Sequence, residues 1–275
     1  MELSLIWTIA QAELREALRN KWLWLFAVGF AGLALALSRA GLSAAGYAGL
    51  GGFGRTAASL INALLLFVPL IGLSVGASSL AADRERGTLL FLLAQPVSRG
   101  EIFVGKALGA ALAVLTALAL GFGLAGLGLG MSGGGETAVY LSLVGYTLLL
   151  ALAALGLGFI ISSLTRKAAA ASGAALIFWL ALVFLADLAV LGAALTWRPN
   201  PAGLVGMLLI NPLQIFKVGA IFSLRASLDS LGPVGQYALF RFGEQLPLLL
   251  IGLLALWALT AFTIAFAIFN RRGEG

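Results

Sequence analysis

The 275-residue chain contains no cysteine, no histidine and only three methionines. Without cysteine there are no disulfides and no thiol redox chemistry. Without histidine there is no His-based triad or proton shuttle, and zinc loses its usual ligands. Three methionines, one of them Met1, are too few to line a soft-metal channel with sulfur. Charge is scarce as well: Asp, Glu, Lys and Arg make up 10% of the residues, where a soluble protein carries about a quarter. The phosphate-cradling pattern Gly-x-x-x-x-Gly-Lys-Ser/Thr is also missing. Catalysis within this chain is poorly supplied, no cofactor or metal site is expected in it, and any use of ATP must come from another polypeptide.

What the chain has in abundance is apolar surface. It is 61% hydrophobic, with a mean hydropathy of +1.06, and reads as an all-α polytopic membrane protein. Six spans are expected, at Trp22–Leu37, Ala57–Ala82, Ile102–Leu129, Val139–Ile161, Ala168–Leu195 and Leu246–Phe269. The net charge of +6 lies in short loops beside these spans, so it is a topology signal and no nucleic-acid partner is expected. With both termini inside, the inner set is Arg15, Arg19, Lys21, Arg84, Arg86, Arg99, Lys106, Arg166, Lys167, Arg271 and Arg272. The outer set is Arg39, Arg55, Arg198, Lys217, Arg225 and Arg241, so the split is 11 against 6. Both termini are therefore expected to be cytoplasmic, in a bacterial inner membrane. Glu2, Glu13 and Glu16, with no small-residue cleavage site, argue against a signal peptide.

Four regions differ in character. Residues 1–21 hold an amphipathic helix with Leu3, Trp7, Ala10, Leu14 and Leu18 on one stripe, beside Ser4, Thr8, Gln11, Arg15 and Arg19. It is too polar to span and suits the membrane interface. Residues 22–195 carry the first five spans. Residues 196–245 form an extracytoplasmic helical loop opened by Pro199-Asn200-Pro201. Within it Asn211 caps a helix that has Pro212 at its first position, with Phe216 and Lys217 following on the helix. This loop is expected to offer Asn211, Pro212, Phe216 and Lys217 to a periplasmic partner; a packing lid is the plainer alternative. Residues 246–275 are the last span and a cytoplasmic tail.

The longest charged interruption is Asp83-Arg84-Glu85-Arg86-Gly87-Thr88-Leu89-Leu90-Phe91-Leu92-Leu93-Ala94-Gln95-Pro96-Val97-Ser98-Arg99-Gly100-Glu101. Gly87 breaks the preceding helix, and the Thr88 hydroxyl can cap a new one over Leu89–Ala94. Pro96 ends it. Ser98-x-x-Glu101 is a capping box, so the next long helix starts at about Arg99. A short, stiff, partly apolar helix between charged hinges suits docking into a partner's groove. An ordinary solvated loop is the bland alternative.

This string resembles the coupling segment of ABC-2-type transporter permeases. Their acidic-basic-acidic-basic-Gly-Thr-Leu pattern falls on Asp83 to Leu89, their Pro-Val-Ser-Arg on Pro96 to Arg99, and their Gly-Lys on Gly105-Lys106. Asp83 is shorter than the usual Glu, and Leu90 stands where the family often has Glu. Asn211-Pro212-Leu213-Gln214-Ile215-Phe216 and the overall length are similar to permeases of nitrous oxide reductase maturation. The resemblance implies a dimer of six-span protomers, an N-terminal elbow helix and a cytoplasmic ATPase dimer that binds ATP and Mg. It also implies a periplasmic partner and a role in copper-site assembly. Coupling contacts are then expected from Asp83, Arg84, Glu85, Arg86, Gly87, Thr88, Leu89, Leu92, Pro96 and Arg99, with Arg166 and Lys167 as a secondary cytoplasmic contact.

Other signals are weaker. Gly72–Gly76, Gly105–Gly109 and Gly126–Gly130 permit close helix approach. Leu129-Gly130-Met131-Ser132-Gly133-Gly134-Gly135-Glu136 looks superficially like an ABC signature but reads as an exterior glycine loop. Asp187 is the one acid well inside a span, either a hydrogen-bonded structural group or a functional one. Pro69 should kink the second span, and Asn62 is placed to hydrogen-bond between helices. Two other classes stay open: a proton-coupled secondary transporter using Asp187, and a non-transporting assembly scaffold.

Overall fold

The computed structural model describes residues 2–19, 21, 23–25, 27–29, 31–32, 50–131, 137–185, 188–189, 192, 201–223 and 240–271. The described residues in regular structure are all helical. The helices are α1 (Leu3–Arg19), α2 (Leu50–Arg86), α3 (Thr88–Leu93), α4 (Arg99–Met131), α5 (Thr137–Leu164), α6 (Ala168–Leu180), α7 (Pro201–Leu209), α8 (Pro212–Ser223) and α9 (Leu246–Arg271). Five stretches are long and apolar enough to cross a membrane: Ile61–Arg86, Arg99–Gly123, Tyr140–Leu164, Ala168–Leu185 and Phe240–Arg271. Half of the span expected at Trp22–Leu37 falls outside the described residues, and Asp187 and Ser132–Glu136 lie outside them entirely. In its described part, Leu23, Ala27 and Ala31 are buried.

Glycine sets the closest packing. α2 lies on α5 with Gly72 and Gly76 facing Ala151, Leu155 and Gly158; a Cβ on Gly72 would sit 2.7 Å from the Ala151 carbonyl oxygen. α1 lies on α4 in the same way. A Cβ on Gly105 would come 2.7 Å from Ile9 Cβ, and one on Gly109 would come 2.6 Å from Glu13 Cβ. Two of the three Gly-x-x-x-Gly pairs therefore build the protomer itself. Without Cβ atoms the backbones close up and dispersion contacts multiply, the main attraction available between helices in lipid. An aromatic group on α4, α5 and α9 fills the remaining space, with Phe103 at 5.6 Å from Phe159, 5.4 Å from Phe266 and 5.8 Å from Phe269.

One end of the bundle gathers the cations. Arg84, near the end of α2, donates to the carbonyls of Ser162 (2.6 Å) and Thr165 (3.1 Å) at the end of α5, and lies over the Phe269 ring of α9. Arg99, opening α4, donates to the Asn270 carbonyl (3.2 Å) at the end of α9. These helix ends otherwise leave carbonyls without partners, and a guanidinium there also meets the negative end of the helix dipole. The ends of α2, α5 and α9 and the starts of α4 and α6 are thus on one side.

α7 and α8 correct one expectation. Asn211 does cap α8, its Oδ1 accepting from Leu213 N at 2.9 Å, with Pro212 at the first helical position. But Asn211, Pro212 and Phe216 are buried, so they are not a docking surface; Lys217 is partly exposed. α8 packs into the bundle against α5, α9 and α2. Gly219 permits this, since a Cβ there would come 2.6 Å from the Tyr146 ring.

α1 turns Ile6, Ala10 and Glu13 to the protein, while Leu3 and Trp7 are exposed. Asn62 lies on the exposed side of α2, and Pro69 sits within that helix.

Gly76→Ala should lower the midpoint of thermal unfolding in detergent by the equivalent of about 1–3 kcal/mol, because the new methyl meets the Leu155 carbonyl and the Gly158 backbone. Gly173→Ala, with nothing within 4 Å of the new carbon, should leave it unchanged or raise it.

Candidate functional site: a buried ion cluster behind a short exposed helix

The short helix α3 hangs between α2 and α4 at the cationic end. Gly87 makes the break, with φ at +76°, a left-handed conformation that costs other residues about 1–2 kcal/mol. Thr88 does not cap α3 as expected: Gly87 occupies the cap position and no side chain bonds there. At the other end the capping box forms. Ser98 N and Oγ donate to Glu101 Oε2 at 2.9 and 2.8 Å, and Glu101 N donates to Ser98 Oγ at 3.3 Å. Glu101 Oε1 also accepts from Glu2 N at 2.8 Å, which fastens the start of α1 to the start of α4.

Behind α3 lies a cluster of charges that comes from three helices. Lys106 of α4 is buried and its ammonium pairs with Glu13 of α1 and with Asp83 of α2, the latter at 2.7 Å. Ser79 of α2 donates its hydroxyl to the other Glu13 oxygen at 2.5 Å. At the rim, Arg86 bonds Asp83 (3.1 Å) and Glu16 (2.5 Å). Every carboxylate here has a cation, which is the condition for charges to persist out of water. A cavity of about 350 Å³ lies alongside, lined by Glu13, Glu16, Ser79, Glu85 and Arg86 among others.

The expected coupling residues separate into two groups. Asp83 is buried and Arg84 half-buried, and both are engaged within the chain. Arg99 is likewise engaged with α9, and Arg86 with Glu16 and Asp83. Glu85 is exposed, and one of its oxygens accepts from Ala168 N, the first amide of α6, at 2.8 Å. Leu89 is 0% exposed, and Leu92 packs against the core, so neither is a tip residue. The outward side chains of α3 are Leu90 and Phe91, 56% and 65% exposed, with Thr88 and Pro96 also exposed. Arg166 and Lys167 are exposed in the neighbouring turn between α5 and α6.

Against known proteins, the chain matches the model of the "ABC-2 family transporter protein" over residues 7–273. The chain belongs to the ABC-2 family of transporter permeases. It is similar to the "Probable ABC transporter permease protein NosY" of Pseudomonas aeruginosa, 33% identical over 277 residues, covering 97% of this chain and 98% of that one. The protein of the same name from Stutzerimonas stutzeri is 31% identical over 284 residues, with the same coverage. This permease is thus a membrane subunit, of a family in which ATP hydrolysis belongs to a separate subunit. Membership in the family implies association with that ATPase and pairing of permeases.

Sequence reasoning missed the ion cluster. Lys106 was legible as part of a Gly-Lys pair, and Glu13 only as a charge near the N-terminus. The usable signal was the spacing Ile6, Ala10, Glu13, Ala17, which puts a carboxylate on a stripe of otherwise small and apolar residues.

Lys106→Met should be the damaging single change. It leaves Glu13 and Asp83 buried without their shared cation, and breaking such a group costs about 3–5 kcal/mol. The triple change Lys106→Met, Glu13→Gln, Asp83→Asn should recover most of that loss in thermal unfolding of the purified chain.

Proposed function

We propose that this permease converts ATP hydrolysis by a separate cytoplasmic ATPase into movement of its spans, through α3 and the ion cluster behind it. The single observation that carries this reading is the construction of α3. It is anchored inward by Leu89, presents Leu90 and Phe91 outward, and joins two spans whose ends are locked together by Lys106. A groove on the ATPase would take Leu90 and Phe91. Thr88 and Pro96 would flank it, Gly87 would serve as the hinge, and Arg166 and Lys167 would add a secondary contact. Because Asp83 and Lys106 tie α2 to α4 and Glu13 ties both to α1, a push on α3 displaces these helices together. ATP and Mg are bound by the partner.

The topology that goes with this is six spans with both termini cytoplasmic in a bacterial inner membrane. α1 packs at the cationic end, whereas α2, about 55 Å long at 1.5 Å per residue, begins at the opposite end. A further crossing between Arg19 and Leu50 reconciles the two. α1 suits the role of an interfacial elbow. Leu3, Trp7, Arg15 and Arg19 are exposed, the first two suited to lipid and the arginines to headgroups, and Ile6, Ala10 and Glu13 face the protein.

The likeness to the two NosY proteins supports work in nitrous oxide reductase copper-site maturation, as a homodimer with a periplasmic partner. With no cysteine, no histidine and three methionines, this chain offers copper few ligands. Force transmitted to a periplasmic metal-handling protein, or movement of a sulfur compound, fits that composition better than conduction of copper ions.

Leu90→Asp with Phe91→Asp should leave membrane insertion and thermal stability unchanged, since both side chains are exposed, yet abolish co-purification of the ATPase in mild detergent. Full retention of the ATPase by this variant would remove the assignment of α3.

A further inference from the structure

α6 is attached to the bundle unlike its neighbours. Of its 13 residues only Ala171 and Ala175 are buried. Among the described residues, three side-chain hydrogen bonds tie it down at intervals. At the cytoplasmic end the Glu85 carboxylate accepts from Ala168 N at 2.8 Å. Near its far end, Trp179 Nε1 donates to the Leu66 carbonyl of α2 at 3.1 Å, about one turn before Pro69. Farther on, the α-helix gives way to a π-helical turn, Ala181–Leu185. There Asn211 Nδ2 donates to the Leu182 carbonyl at 2.9 Å.

Asn211 uses the other half of the same amide on its own helix, where Oδ1 accepts from Leu213 N at 2.9 Å. One planar group thus holds the wide turn of α6 and the start of α8. A carboxamide is the side chain that supplies a donor and an acceptor side by side in this way. α8 in turn is seated firmly. Gly219 lies against the Tyr146 ring of α5, and the Tyr146 hydroxyl donates to the Pro247 carbonyl of α9 at 3.1 Å. A span with few buried side chains can shift as a body without repacking a core, and π turns recur where helices must adjust.

We propose that α6 is the rod that carries displacement from the coupling end to the opposite face, and that Asn211 is the positioning residue joining it to α7 and α8. Glu85 starts the movement beside α3, and the Asn211 amide passes it on to the α7–α8 pair. This rests on the coupling reading above.

The chain has no native cysteine, so spin labels can be placed at will. F184C in the π turn, I210C between α7 and α8, and L256C on α9 are at exposed positions. Chains labelled at 184 and 210, or at 184 and 256, are diluted with unlabelled chain and combined with the ATPase in lipid nanodiscs. Pulsed electron paramagnetic resonance is then recorded without nucleotide and after vanadate trapping. The 184–256 distance should shift on trapping while 184–210 stays constant. N211D keeps the acceptor for Leu213 N and loses the donor to Leu182. N211S keeps a cap but is too short to span the gap. In either variant the 184–210 distribution should broaden in both states and shift on trapping. A 184–210 distribution identical to that of the parent chain in both variants would overturn the role of Asn211. So would a shift of 184–210 in the parent as large as that of 184–256. A separate label at F91C reports the coupling reading: immobilisation on adding the ATPase supports it, and no change there overturns that reading and this one together.

Discussion

The cationic end of this permease depends on one ammonium group. Lys106 is buried at a point where α1, α2 and α4 meet, and it can stay charged there only because Glu13 and Asp83 converge on it. Each of those carboxylates is on a different helix, so satisfying the lysine fixes the relative position of all three. Ser79 and Arg86 then complete the remaining oxygen sites. A purely apolar contact at the same place would allow the helices to slide, since dispersion is non-directional. The pairing of charges does not.

That arrangement explains why most charges around α3 are already engaged within the chain. Asp83, Arg84, Arg86 and Arg99 are occupied by Lys106, by carbonyls at the ends of α5 and α9, and by Glu16. The large apolar side chains exposed there are Leu90 and Phe91, on a six-residue helix. The charges make the hinge stiff and the hydrophobes make it sticky, which is a division of labour suited to transmitting a push.

Stiffness varies across the bundle. Around α2, α5 and α9, glycine lets backbones touch and phenylalanine fills the corners, so these helices should move as a block. α6 buries only Ala171 and Ala175 in this packing and is held as well by Glu85, Trp179 and Asn211. The same chain thus contains a rigid frame and a span attached by discrete polar contacts.

Local features were open to reading from the residues alone. The break at Gly87, the stop near Pro96, the Ser98–Glu101 capping box and the Asn211-Pro212 helix start each depend on a few consecutive residues and on backbone geometry. Five of the expected spans fall on helices long and apolar enough to cross a membrane for a similar reason: hydropathy accumulates along the chain. The amphipathic pattern of α1 likewise announced a helix. It did not say which edge of the helix meets protein, because lipid and a helix face are equally apolar to a sequence pattern. The buried stripe runs through Ile6, Ala10 and Glu13, while Leu3 and Trp7 of the apolar stripe stay exposed. The partners of Lys106, the inward turn of Asp83 and the burial of Phe216 were decided only when separate helices came together. A charge's partner is a property of the space around it, and that space is made by the packed helices.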